Sequence, residues 1–162
     1  MELATSRLIL REAEHRDALA LASYQSNPRY SEHYLERSDS QRIVQLARLW
    51  AAESPRRNYQ LIITLAFGAT VIGCAGLRQA GYPPGEAEVG IELDPEYWGA
   101  GYAREVLSVL IEFARFQVGA QRLYALTTPT NVRAHRLVQG MGFSRTPLCG
   151  REVRFELRLT PA

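Results

Sequence analysis

The strongest constraint on the fold of this chain is Tyr97-Trp98-Gly99-Ala100-Gly101-Tyr102-Ala103. This glycine-spaced loop sits between a strand-like run, Glu88-Val89-Gly90-Ile91-Glu92-Leu93, and a long helix-like run that starts near Arg104. Two glycines at i and i+2 let backbone N–H groups turn outward together, and the N-terminus of the following helix adds partial positive charge. Such a junction holds a phosphate through main chain alone, although an ordinary tight turn has the same spacing. Two nucleotide-binding alternatives fail on residue identity. A Walker loop needs Lys after its last Gly, and the chain contains no Lys. A dinucleotide fingerprint needs a third Gly three residues after Gly101, where the chain has Arg104.

Composition removes further classes. All 19 basic residues are Arg, balanced by 17 acids for a net charge of +2, so no global field points to nucleic acid and any anion recognition is local. Without Lys there is no Schiff-base chemistry. Cys74 and Cys149 have neither Cys-x-x-Cys nor zinc spacing and read as reduced packing residues, and no metal site is expected. The longest uncharged apolar stretch, Leu61 to Phe67, is too short to span a bilayer, and the N-terminus lacks an apolar signal region, so a cytoplasmic protein with no membrane partner is expected. At 162 residues and 46% hydrophobic, with no repeat or linker, the chain reads as one domain over 1–162.

Periodicity places the elements. Leu8-Ile9-Leu10 reads as a first strand, His15 to Ser26 as a helix stopped by Asn27-Pro28, and Ser38-Asp39-Ser40 as a cap before the stripe Ile43, Leu46, Ala47, Trp50. Tyr59 to Leu65 and Val71 to Leu77 form a hairpin through Phe67-Gly68-Ala69. Gly73, Gly76 and Gly90 mark sites of a bulge or close backbone approach. Val106, Leu107, Leu110, Ile111 and Ala114 make the stripe of a helix ended by Gly119. A buried strand follows at Arg122 to Thr128, then a helix from Thr130-Asn131 to about Gln139. Phe143 to Leu148 and Glu152 to Leu159 close the chain as a hairpin.

Four ordered motifs carry a resemblance over nearly the whole chain: Thr5-Ser6-Arg7-Leu8-Ile9-Leu10-Arg11, Gly90-Ile91-Glu92-Leu93-Asp94-Pro95 leading into Trp98-Gly99-Ala100-Gly101-Tyr102-Ala103, Asn131-Val132-Arg133-Ala134-His135-Arg136, and Gly142-Phe143. The chain resembles the GNAT superfamily of acyl-CoA-dependent N-acetyltransferases, in its RimJ/RimL-type branch. The resemblance implies an α+β fold with a mixed, mostly antiparallel sheet of six or seven strands, about four helices, and a bulge that splays the strand before the loop from its parallel neighbour. It implies acetyl-CoA as co-substrate, its pyrophosphate on the backbone of Gly99, Ala100, Gly101, Tyr102, Ala103 and Arg104. Pantetheine would pair with Ile91 to Leu93 as an added strand, with Asn131 on the same arm and Arg136 among the arginines near the phosphates. Helices of the N-terminal half and their connection, Arg29 to Arg37, would wall the acceptor cleft.

The departures are specific. The family's proton donor to the leaving thiolate, a Tyr seven residues after the Asn or a Ser three residues after it, falls here on Val138 and Ala134. Tyr102, Tyr124 and His135 are the substitutes on offer, and a thiol leaving group of pKa about 8.5 tolerates the loss. For the general base, Glu88 and Glu92 project from one side of a strand, and Glu92 lies nearer the loop. Tyr24, Tyr30, Tyr34, Trp50 and Tyr59 would suit a cationic amine, and would equally serve as helix-packing residues. The expectation is acetyl transfer to a primary amine, of a protein N-terminus or a small molecule, by direct attack in a monomer or homodimer. The alternative is an acyl-CoA-binding sensor or scaffold without efficient turnover.

Overall fold

The computed structural model describes residues 1–33, 39–147 and 150–160. The expected cap residue Ser38, the wall residues Tyr34 to Arg37, and Leu148 and Cys149 lie outside the described residues.

Eight strands form one sheet in the order β1-β2-β3-β4-β5-β6-β8-β7. They are β1 Glu2–Ala4, β2 Leu8–Arg11, β3 Asn58–Leu65, β4 Val71–Arg78, β5 Glu86–Leu93, β6 Arg122–Thr127, β7 Ser144–Arg145 and β8 Val153–Arg158. Every pairing is antiparallel except β5 with β6. The helices are α1 Asp17–Gln25, α2 Pro28–Ser31, α3 Ser40–Ala51, α4 Tyr102–Phe113 and α5 Val132–Gly140, with a π turn Ala114–Val118 prolonging α4 up to Gly119.

The mixed, mostly antiparallel α+β sheet is therefore as expected, with more elements than periodicity gave. The extra strand is β1, too short to carry a pattern of its own and held by β2, while the closing hairpin expected from Phe143 onward is present as β7 paired with β8, its first strand described as only Ser144–Arg145. The extra helix is the single turn α2, started by Pro28 at its first position and by the Asn27 side chain accepting from Arg29 N–H at 3.0 Å. Asp39 caps α3 by accepting from Gln41 N–H at 3.0 Å and Arg42 N–H at 3.2 Å.

Helices cover both faces of the sheet. Val106, Leu107, Leu110 and Phe113 of α4 press on Leu8, Leu61, Ile63, Leu77, Val89 and Phe155. On the other face Leu21 and Tyr24 of α1, Tyr30 of α2, and Val44 and Ala47 of α3 press on Ile62 and Cys74. The expected aromatic cluster is divided between these layers: Tyr24 and Tyr30 meet edge to face at 5.7 Å, whereas Tyr59 packs on Phe113 of α4 at 5.0 Å.

An ion pair fixes α1 to the sheet. Arg11 grips Asp17 through two bonds of 2.9 Å, and the Glu14 N–H adds a third at 2.7 Å. Burial alone would raise the Asp17 carboxyl, but these donors outweigh it and hold the group below its ordinary range. A folded value below the unfolded one means the stabilisation is complete above the unfolded value of about 3.9 and fades as pH falls through the folded value. Asp17→Asn should cost about 2–3 kcal/mol at neutral pH, with the gap between wild-type and variant melting temperatures narrowing as pH falls below the ordinary carboxylate range. A gap that persists unchanged at low pH would assign the loss to packing.

Candidate functional site

The site begins where β5 and β6 part. Their parallel ladder runs only through Glu86↔Arg122, Ala87↔Leu123 and Glu88↔Tyr124, although β5 continues to Leu93 and β6 to Thr127. On its other edge β5 stays in register with β4 from Arg78↔Glu88 to Gly73↔Leu93. The expected bulge is thus absent from this pairing and lies one strand away, where the β3–β4 register shifts between Ile63 and Thr64. β6 leaves instead because the chain turns at Thr128–Asn131, where Asn131 N–H meets Thr128 C=O at 3.2 Å, to start α5. Gly73 meets the close-approach expectation: a Cβ there would stand 2.1 Å from the Glu92 carbonyl oxygen.

The register also orients the free edge. Asp94 N–H donates to Ile72 C=O at 2.8 Å, so by strand alternation Glu92 and Gly90 turn their amides to β4 while Leu93, Ile91 and Val89 turn theirs toward the gap. Trp98 Nε1–H takes the Leu93 carbonyl at 3.0 Å. An extended, amide-rich chain entering the gap would find strand-like partners at Ile91 and at Leu93 N–H.

Two cavities meet there. One of about 700 Å³ lies between the parted strands, lined by Val89, Gly90, Ile91, Ala125 to Thr128, Asn131, Ala134 and Val138. The other, about 400 Å³, is lined by Ile91, Leu93, Gly99, Gly101, Tyr102, Ala103, Arg104, Asn131 and Arg136. Gly99 and Gly101 hold φ of +79° and +84°, a region that only glycine enters at little cost, and α4 starts immediately after. Positive φ at alternate residues before a helix N-terminus is the geometry of an anion cradle, and Arg104 and Arg136 along the same cavity add charge. These residues fit the phosphate-bearing end of CoA, and the open edge of β5 fits its amide arm.

Ala100 is the expected loop residue that does not line the cavity. Its carbonyl accepts from Arg7 Nη1 at 3.0 Å. Arg7 also pairs with Glu105 at 2.8 Å, its backbone N–H donates to Glu105 at 2.9 Å, and Thr5 Oγ1 bonds the same carboxylate. The Thr5-Ser6-Arg7 turn therefore clamps the loop and the first turn of α4 from outside, a role that residues 98 positions apart gave no local sign of. Asn131 caps α5, its Oδ1 accepting from Ala134 N–H at 3.2 Å. Because only the oxygen is used, the amide NH₂ remains as a donor on a side chain that lines both cavities.

The two candidate bases are on one face of β5 but in separate settings. Glu92, 9% exposed, accepts from Tyr24 OH at 2.6 Å, Gln25 Nε2 at 2.8 Å and Tyr30 OH at 2.7 Å, and it lines neither cavity. Burial, then Cys74 and Glu92, push the Tyr24 phenol far above its ordinary range, and burial does the same to the Cys74 thiol. Glu88 lies farther from the loop, bonded to Arg78 at 3.0 Å and Tyr82 OH at 2.7 Å.

Of the substitute proton donors, Tyr102 lines the loop cavity, with the Arg7 guanidinium 4.3 Å from its ring centroid. Tyr124 donates to Glu86 at 2.8 Å at the closed end of the gap, and His135 Nε2 lies 3.0 Å from Thr128 C=O. Trp98 does more than support the loop. Its ring meets Arg133 at 5.2 Å, Arg29 at 5.3 Å and His33 at 5.6 Å, spanning from α5 to the α2 side. His33, a residue without motif or periodicity to single it out, lines both cavities.

The acetyltransferase (GNAT) domain profile matches residues 7–144. The chain is 31% identical over 146 residues to the uncharacterised N-acetyltransferase YoaA of Bacillus subtilis, covering 88% of this chain and 82% of that one. It is 33% identical over 136 residues to the N-alpha-acetyltransferase RimI of Mycobacterium tuberculosis, covering 74% and 82%. In fold it matches RimL, the ribosomal L7/L12 alpha-N-protein acetyltransferase solved with coenzyme A, with a TM-score of 0.81 at 14% identity over 98% of each chain. The chain belongs to the GNAT family of acetyltransferases, in its RimJ/RimL-like branch, and is an N-acetyltransferase.

Proposed function

We propose that the protein moves an acetyl group from acetyl-CoA to a primary amine by direct attack, without a covalent enzyme intermediate. The observation that carries this reading is the interruption of the β5–β6 ladder after Glu88↔Tyr124 beside the Gly99–Gly101 cradle. Acetyl-CoA supplies an acyl group already activated as a thioester, so the protein's part is binding, orientation and proton management. The backbone of Gly99 to Arg104 and the side chain of Arg136 hold the phosphates. Ile91, Leu93 N–H and the Asn131 amide hold the arm across the gap. Glu92 supports the acceptor wall: with three donors on its oxygens it ties Tyr24, Gln25 and Tyr30 to β5. The acceptor is the α-amine of a polypeptide or the amine of a small molecule, and the alpha-amine specificity in the name of RimI favours the first.

Ala134 and Val138 at the usual proton-donor positions favour one other reading, an acyl-CoA-binding module with weak turnover. Calorimetric titration with acetyl-CoA, followed by thiol release against N-terminal peptides, spermidine and an aminoglycoside, separates the two. Binding with acceptor-dependent release is expected. Binding without release supports the module, and absence of binding removes both.

A further inference from the structure

We propose that His33 carries the proton of the transfer, in place of the hydroxyl that the chain lacks at Ala134 and Val138. The inference rests on the reading above, in which the cradle at the loop takes the phosphates, the arm runs along β5 across the gap, and the α1–α2 side walls the acceptor. Among the described residues the two cavities share His33, Ile91, Asn131, Ala134 and Leu137. His33 follows α2, the helix whose Tyr30 is bonded to Glu92, and is the residue of that acceptor side, among the described residues, that reaches the wall along which the arm runs. Four of the five shared side chains cannot titrate; His33 is the only acid or base there.

Two further observations single it out. His33 Nδ1 is buried and, among the described residues, has no hydrogen-bond partner, although buried ring nitrogens are almost always paired. A bound ligand that supplies a partner removes that deficit. The ring is also held in place: it lies 5.6 Å from Trp98, which is itself tied to the Leu93 carbonyl on the free edge of β5. Charged groups around this point are Arg29 and Arg133 against Trp98, Arg104 and Arg136 along one cavity, and Arg78 and Glu152 along the other. Ala134, the position at which the resemblance places a hydroxyl, lines the same two cavities.

The proton balance needs nothing else. As the amine nitrogen bonds to the acyl carbon it sheds one proton. As the carbon–sulfur bond breaks, sulfur takes the electron pair and gains one. A neutral imidazole accepts the first proton and gives the second, and ends as it began.

His33→Gln tests this, because it keeps a polar side chain of similar reach and removes titration. The expected result is a fall in kcat of about 10²–10³-fold with the acetyl-CoA dissociation constant within about twofold of wild type, and loss of the limb of the kcat–pH profile that reports imidazole. Adding Ala134→Ser to His33→Gln should restore kcat by about tenfold or more, since a hydroxyl returns to the shared wall. A readout independent of turnover is the ¹⁵N-imidazole spectrum: signals absent from His33→Gln should shift when CoA is added to wild type. The proposal is overturned if His33→Gln turns over within about threefold of wild type with the same pH profile, or if the His33 signals ignore CoA in a protein that binds it. Either result leaves the acetyltransferase reading intact. Binding of acetyl-CoA without turnover on any of the named acceptors overturns the proposal too, and failure of the wild type to bind removes the parent reading with it.

Discussion

Gly101→Val yields a folded protein that has lost CoA. The position holds φ +84°, and a Cβ there would stand 3.4 Å from Arg7 Nη2, the arm that clamps the loop. A β-branched residue in the left-handed region costs about 1–2 kcal/mol, so the loop relaxes toward negative φ and turns its amides away from their common focus. Loss of two charge-assisted main-chain bonds, about 1.5–3 kcal/mol each, weakens CoA by about 100-fold or more. The backbone strain itself lowers the melting temperature by only about 2–8 °C in a chain of this size. Gly81→Val is the control: it has φ +86° and open space around its Cβ, in the turn between β4 and β5, so it carries similar strain without touching the cradle. Calorimetry and thermal melts on both variants decide the matter. Wild-type CoA affinity in folded Gly101→Val, or equal loss in Gly81→Val, would remove the loop from the binding site.

What could be read from the sequence was what local physics determines. The strand, the glycine pair and the α4 stripe lie within 30 residues, and their roles follow from φ preference, period and the helix end, so the loop, β5 and α4 stand close to where periodicity set them. The β3–β4 hairpin was legible for the same reason, Gly68 and Ala69 taking φ of +86° and +53° at its tip. Illegible features depend on distant partners. Glu105 stands in the first turn of α4, yet its carboxylate is bonded to Thr5 and Arg7 at the other end of the chain. β1 exists because the edge of β2 offers it hydrogen bonds, a property of the assembled sheet. The resemblance implies a bulge on the strand before the loop, whereas the register shift falls between β3 and β4; glycines at Gly73, Gly76 and Gly90 all permit a bulge, and only register decides among them. His33 became visible once two cavities existed for it to border.

Glu92→Ala tests the other side of the sheet and should cost about 3–6 kcal/mol, since it leaves the buried hydroxyls of Tyr24 and Tyr30 without this acceptor and opens a void beside them. Those hydroxyls belong to residues 3% and 2% exposed, so water does not readily replace the carboxylate. Against a typical total of about 5–15 kcal/mol, the loss brings α1 and α2 close to detachment, and the variant should melt far below wild type. Glu92→Gln is the discriminating change. It keeps one acceptor oxygen for Tyr24 and Gln25 and places an NH₂ toward Tyr30, at an expected cost of about 1–2 kcal/mol. If Glu92 supports the wall, Glu92→Gln assayed below its lowered melting temperature acetylates within about tenfold of wild type. If Glu92 were the base, the same variant would lose about 10²–10⁴-fold in kcat whatever its stability. The geometry favours the first outcome: Glu92 already holds three donors, two on Oε1 and one on Oε2, and its remaining acceptor site would have to serve a cavity that the side chain does not line.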